Sequence, residues 1–414
     1  MQLLVAIVLL WLMAGAALIW RYRRDLLSLW REPVLRRPVL VIESDDWGPG
    51  PKADAQQLHR IAKVLSRYKD SDGHPPVMTL GVVLAVPDAE LMRQEGGQRY
   101  HRVLLSHPRY PAMRDVIQRG VASGVFALQL HGMEHFWPPA LMAAARLDPG
   151  IRHWLASDDS RTEGLPSHLQ SRWMDAASLP SRLIPENQIK AAVTEEVEAF
   201  VAIFGCPPRV VVPPTFAWNP MVEKAWAGAG VRVIVTPGQR YEARDHDGVL
   251  ITTGIASGGR ILNGQAGAGG VMYVVRDDYF EPALGHMAEK GLAAVEIKTR
   301  LGRPTLLETH RFNFVADPDV ADAAINELDG LLVGALQRFP EVVFTSTEQL
   351  AHRMSIADAS LVEVNAMRRI AVWLLRLREV PRLWKLAWLT GVIVPASLLF
   401  FTVRLFCGAT PHRA

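Results

Sequence analysis

Three polar clusters stand directly after apolar runs, and each holds residue types that bind metals or move protons. The first, Glu43-Ser44-Asp45-Asp46-Trp47-Gly48, follows Val39-Leu40-Val41-Ile42. Two adjacent carboxylates repel each other, and a metal or a cationic partner would keep both ionised. The plainer reading is a helix cap and turn, since Asp is common there and Gly48-Pro49-Gly50 follows. The second cluster is Gln129-Leu130-His131-Gly132-Met133-Glu134-His135. Two histidines four apart can reach one ion if the turn between them is helical; the plainer reading is a pair of solvated loop residues. The third, Glu308-Thr309-His310-Arg311-Phe312-Asn313-Phe314, offers His310 as a general acid or as a hydrogen-bonded structural histidine.

What joins the clusters is their position at the ends of short β-branched runs. Further runs are Val77–Val83, Val125–Leu130, Val210–Val212, Val231–Val235, Val271–Val275, Thr305–Thr309 and Val342–Phe344. Helical stretches lie between them, at Asp54–Tyr68, Tyr110–Ser123, Glu186–Phe204, Pro220–Ala229 and Asp317–Phe339. Alternating strands and helices predict an α/β domain with a parallel sheet over residues 38–350. With this many units, a barrel is more economical than an open sheet, and its chemistry belongs on the loops after the strands. Residues 136–185 break the rhythm with Ser, Pro, Asp and the tryptophans Trp137, Trp154 and Trp173. They predict an insertion, either a lid over the site or a peripheral subdomain. The glycine-rich stretch Gly254–Gly270 lacks the Lys-Ser/Thr of a phosphate loop and reads as a flexible connection.

Composition bounds the rest. A chain of 414 residues with 49% hydrophobic and 21% charged residues is neither disordered nor wholly membrane-embedded. Two cysteines, Cys206 and Cys407, exclude a disulfide framework and a cysteine-based zinc site, and they fit a reducing compartment. Basic residues concentrate near the ends, in a linker over residues 21–37 and in residues 364–385, and the middle is net acidic. That argues against nucleic acid as a partner. Residues 1–20 and 386–406 are apolar enough to predict transmembrane helices, and residues 364–385 a basic amphipathic helix lying on anionic lipid. A cleaved signal peptide is the alternative for the first. Both arginine clusters face the central domain, which the positive-inside rule puts in the cytoplasm beneath the inner (plasma) membrane; a periplasmic domain is the alternative.

Asp45-Asp46 after one strand, His131-x-x-x-His135 after another and a histidine on a late strand together resemble the polysaccharide deacetylase superfamily. The resemblance covers most of residues 38–350. It implies a distorted (β/α)7-like barrel, flanked in this chain by the N- and C-terminal membrane helices. It also implies a divalent metal, zinc by its ligand set, on Asp46, His131 and His135, with Asp45 as base and His310 as the late catalytic histidine. The ion would polarise an amide carbonyl. Asp45 would take the proton of the attacking water, a backbone amide would help hold the oxyanion, and His310 would protonate the departing amine. The implied substrate is an N-acyl amino sugar of a glycan, lipid-linked if the domain works at the membrane surface. Trp47, Phe216, Trp218, Arg311 and Asn313 are the candidate substrate contacts, the aromatics as stacking surfaces for sugar rings.

This chain departs from the family pattern in four places. Its first motif has Glu43-Ser44 where Thr-Phe is usual and inserts Trp47 before the glycine. Gly132 replaces a Ser or Thr, and the Val212-Pro213-Pro214 run lacks the preceding arginine that tethers the base, unless Arg311 or another residue replaces it. The fourth motif is not identifiable. Two other readings follow: a catalytically impaired glycan-binding barrel in a membrane assembly, and a zinc peptidase of the H-x-x-E-H type with Glu134 as base. The latter needs residues 131–135 to be helical.

Overall fold

The computed structural model describes residues 1–158, 161–252, 260–395, 397, 398 and 402. Nine strands form one parallel sheet: β1 (Val39–Trp47), β2 (Met78–Val82), β3 (Phe126–Leu130), β4 (Val210–Val211), β5 (Val233–Thr236), β6 (Met272–Val275), β7 (Asp278–Tyr279), β8 (Thr305–His310) and β9 (Val343–Phe344). Their order is β6-β5-β4-β3-β2-β1-β8-β7, with β9 also on β1. The two ends of this order are neighbours in the chain. Only Arg276 and Asp277 separate β6, which pairs with β5, from β7, which pairs with β8. The sheet therefore curls round on itself, with one irregular seam at Arg276-Asp277.

Strand alternation sorts the side chains into two layers. Ile42, Met78, Leu80, Val82, Phe126, Leu130, Val211, Ile234, Tyr273 and Leu307 face outward into the large core. The helices Lys52–Leu65, Pro111–Ala122, Glu186–Phe204, Pro220–Gly228, Ala288–Arg300 and Pro318–Arg338 surround it. The Lys52–Leu65 helix shows why it packs there: Ala55, Leu58, Ile61 and Leu65 recur at helical spacing and are all buried. Val39, Val41, Val210, Val212, Val233, Val235, Val274, Leu306 and Val343 face inward and fill the start of the barrel. Each such buried Val or Leu contributes about 1.5–3 kcal/mol. Further along the same inward rows the residues turn polar: Glu43 and Asp45 follow Val41, Glu308 and His310 follow Leu306, and Arg276 follows Val274.

The insertion has its own small core. Helices Pro138–Ala145 and Pro149–Leu155 pack Leu141, Ile151 and Leu155 against Met92, Phe136, Leu165 and Leu169. Residues 253–259 of the glycine-rich stretch, and Cys407, lie outside the described residues; Cys206 is a free, exposed thiol.

The N-terminal helix α1 (Gln2–Arg31) is, among the described residues, the one helix long and apolar enough to cross a membrane. The expected second span does not form a single helix. The helix Pro381–Leu389 ends at Thr390, and Gly391 takes a φ of 70° that breaks the run, while residues 396, 399–401 and 403–414 lie outside the described residues. Trp11 Nε1 donates to Thr390 O at 2.8 Å, so this segment lies beside α1.

Helix Ala366–Arg376 docks by its last turn, because Arg376 is fully buried and donates to the carbonyls of Leu301, Glu32, Pro33 and Gly302 at 2.8–3.0 Å. A guanidinium has five donors, and a cage of carbonyls before β1 and β8 takes up Arg376. Arg378, Arg382 and Lys385 remain exposed.

Candidate active site

Adjacent strand residues point to opposite faces, so Asp45 and Asp46 should not both reach the barrel interior. A bulge resolves this. The pairing of β1 with β2 shifts register between Ser44 and Trp47, and Asp46 adopts a φ of 70°. Asp is among the few non-glycine residues that tolerate this left-handed conformation, at a cost of about 1–3 kcal/mol. The strain brings Asp46 to the histidines. Its Oδ1 lies 3.4 Å from His131 Nε2 and 3.6 Å from His135 Nε2. One ligand atom from each of Asp46, His131 and His135 falls within 4.8 Å of the others.

The residues fit a divalent cation. Asp46 Oδ1 and His131 Nε2 are buried without a hydrogen-bond partner, and two imidazoles with one carboxylate are a zinc-type donor set. His131 Nδ1 lies 2.8 Å from Val212 O, which assigns the ring proton to Nδ1 and leaves the Nε2 lone pair for a ligand. Burial, above all, holds His135 neutral by pushing it down to about 4. Burial would raise the Asp46 carboxyl, but the histidines around it, charged His310 among them, outweigh it and hold the group below its usual range.

Asp45 stands beside this set on different partners. Its Oδ2 accepts from Arg276 Nη2 at 2.6 Å, and its Oδ1 has no hydrogen-bond partner. Gly81 on β2 makes room for that oxygen, since a Cβ there would fall 2.2 Å from it. Arg276 also donates to Glu43 at 2.8 Å and lies 3.2 Å from Glu308, all within the barrel. Burial opposes the Asp45 charge, but Arg276 and the charged His310 outweigh it and hold the carboxyl below its usual range. The same burial pushes Glu43 and Glu308 up despite Arg276.

On the neighbouring strand β8, His310 is the register partner of Asp45. Its Nδ1 lies 2.5 Å from Glu281 Oε1, and its ring stacks on Phe312. Burial disfavours the imidazolium, but Glu281, Asp46 and Glu308 outweigh it and push His310 up to about 10. His310 is therefore charged at neutral pH and can donate from Nε2. If it is the acid, activity is present below its pKa and lost as pH rises through it. Glu281→Gln removes the charged partner, and the alkaline limb of a kcat/KM profile should move down by on the order of 1–3 pH units.

A cavity of about 230 Å³ joins these groups, lined by Asp45, Asp46, His131, His135, Arg276 and His310 with Phe216 and Phe312. Thr162, Glu163 and Gln170 of the insertion complete its wall, so part of residues 136–185 lies over the cleft.

Other expected contacts lie elsewhere. Trp47 and Trp218 are buried in the outer core, their indole N–H groups donating to Ser44 and Glu223. They have no ring face to offer a sugar. Asn313 is fully buried and supports the partner of His310 instead: its amide donates to Glu281 and accepts from Ala283 N. Arg311 points to Asp54 at 3.6 Å, so it does not replace the missing tether. Phe216 does reach the cavity, with the Arg276 guanidinium 5.2 Å over its ring.

Two roles escaped the sequence. Arg276 ends a β-branched run and is followed by Asp277-Asp278, a polar strand end like those of the recognised clusters. Glu281 sits in a loop with no such signal. The peptidase reading fails on geometry. Residues 131–135 are not helical, and Glu134 is fully buried against Arg172 and Arg102 at 2.5 and 2.8 Å, outside the cavity wall.

No family model and no curated protein matches the chain. Among solved structures it is similar to a variant of a peptidoglycan deacetylase from Bacillus subtilis, at 12% identity and a TM-score of 0.36, covering 78% of this chain and 95% of that one. It is also similar to a 4-alpha-glucanotransferase from Thermococcus litoralis, at 9% identity and a TM-score of 0.39, covering 77% of this chain and 40% of that one. A CE4 family pseudoenzyme from Bacillus anthracis is similar at 10% identity and a TM-score of 0.35, covering 76% and 66%. These likenesses are of fold, and fold alone does not assign chemistry. The reading of the site stands on the residues described above.

Proposed function

We propose that the protein is a metal-dependent hydrolase that removes the N-acyl group, acetyl in the simplest case, from an amino sugar of a glycan. The observation that carries this reading is the convergence of Asp46, His131 and His135 between a tethered carboxylate and a charged histidine. Asp46, His131 and His135 would hold the ion, zinc by their chemistry, and it would supply Lewis acidity at the scissile carbonyl. Asp45 takes the proton of the attacking water on Oδ1 while Arg276 holds Oδ2. His310 delivers a proton to the leaving nitrogen, with Glu281 fixing its ring. Phe216 and Phe312 offer apolar faces to a sugar, and Thr162, Glu163 and Gln170 offer hydrogen bonds to its hydroxyls.

The apolar helix α1 supports a membrane anchor. The arginines at its barrel end support a cytoplasmic domain at the plasma membrane, and with it a lipid-linked substrate. The test is single-turnover acetate release by the detergent-solubilised full chain, from a chitooligosaccharide and from a lipid-linked N-acetyl sugar. Release from either supports the hydrolase. Faster release from the soluble sugar removes the lipid-linked part, and metal bound with no turnover on any N-acyl sugar leaves a glycan-binding barrel instead.

A further inference from the structure

The loop carrying both histidine ligands is irregular, yet it is held from behind by charges that never enter the cavity. Glu134, between His131 and His135, points away from the cleft and is fully buried. Its carboxylate accepts from Arg172 Nη1 at 2.5 Å and Tyr100 Oη at 3.1 Å, and pairs with Arg102 Nε at 2.8 Å. Met133 N donates to Glu196 Oε2 at 3.2 Å, and Arg172 Nε lies 3.5 Å from that same oxygen. Arg172 Nη1 also reaches Phe136 O at 3.4 Å. One buried guanidinium thus contacts the loop on both sides of His135.

Arg172 comes from the insertion, and its neighbours engage the site as well. Gln170 lines the cavity, Ser171 Oγ lies 2.7 Å from Thr215 Oγ1 on the opposite wall, and Trp173 packs edge-on to Trp226 at 5.3 Å. Ser171 and Arg172 therefore tie the insertion to two cleft-forming loops, and Trp173 anchors it on the helix Pro220–Gly228. A buried ion pair of this kind is weak grounds for stability, because its desolvation penalty offsets much of the attraction. It is better suited to fixing one conformation of a loop that no helix or strand fixes.

We infer that Arg172 is a positioning residue: through Glu134 it holds His131 and His135 at the spacing a metal ion needs, so the insertion helps build the metal site as well as roofing it. This rests on the metal reading proposed above. Partners behind metal ligands typically change metal affinity 10- to 100-fold when removed.

The test is zinc affinity, measured by competition with a chromophoric chelator on the full chain in detergent, beside the melting temperature of the metal-free protein. Arg172→Met should weaken zinc binding roughly 10- to 100-fold. Arg172→Lys should restore part of it, and turnover should return at saturating zinc. The double variant Glu134→Gln/Arg172→Met removes both charges of the closest pair. It should melt closer to the parent than Arg172→Met does while still binding zinc weakly, which a merely structural role would not produce. Unchanged zinc affinity in a folded Arg172→Met or double variant overturns the inference alone. A parent protein that takes up no zinc overturns the metal reading with it.

Discussion

Arg276→Gln is expected to cost about 3–5 kcal/mol of stability and nearly all turnover. The guanidinium is the cation that Glu43, Asp45 and Glu308 share, and all four residues are buried. Glutamine can offer two N–H groups but no charge. The carboxylates then face desolvation and one another, and their folded-state pKa values rise. A group whose folded pKa is raised binds its proton more tightly folded than unfolded. The variant should therefore be least destabilised at low pH and lose stability as pH rises through the carboxylate range and toward neutrality. Thermal melts at pH 5 and pH 8 check this, and a pH-independent loss would contradict it. Arg276→Lys keeps the charge but not the fork that spans Asp45 and Glu43, so it should fold better and still turn over slowly.

Asp45→Asn is the second large effect, and it separates chemistry from folding. The amide keeps the shape and cannot accept the proton of the attacking water. General-base catalysis contributes typically 10²–10⁴-fold, so kcat/KM should fall by about that factor. The ligand set does not include Asp45, so metal content should stay near that of the parent. Loss of both together would mean that Asp45 belongs to the metal site itself.

The contrast between these two residues marks what the sequence could and could not tell. Asp45, Asp46, His131, His135 and His310 were legible because each ends or follows an apolar run, where a barrel gathers its loops. Alternation alone would have sent Asp45 and Asp46 to opposite faces; the bulge at Asp46 is a backbone event that spacing does not reveal. The same bulge places Trp47 beside Ser44 in the core, so an aromatic next to the carboxylates looked like a sugar platform and is not one. Arg276 was missed because the tether was sought beside Pro213, on the strand that ends at Val211, whereas this chain supplies it from the seam between β6 and β7. That seam also joins the two ends of the strand order, where β6 pairs with β5 and β7 with β8. Arg376 shows the limit of hydropathy: the pattern marks a basic residue in an amphipathic helix but not the cage of backbone carbonyls that holds it.

The central claim is that Asp46, His131 and His135 hold one divalent ion. Metal analysis of the purified full chain, beside Asp46→Ala and His131→Ala, tests it most directly. About one zinc-type ion per chain is expected in the parent and in Asp45→Asn, and a loss of most of it in Asp46→Ala and His131→Ala. Metal retained in full by both alanine variants, or absent from a correctly folded parent supplied with zinc, would contradict it.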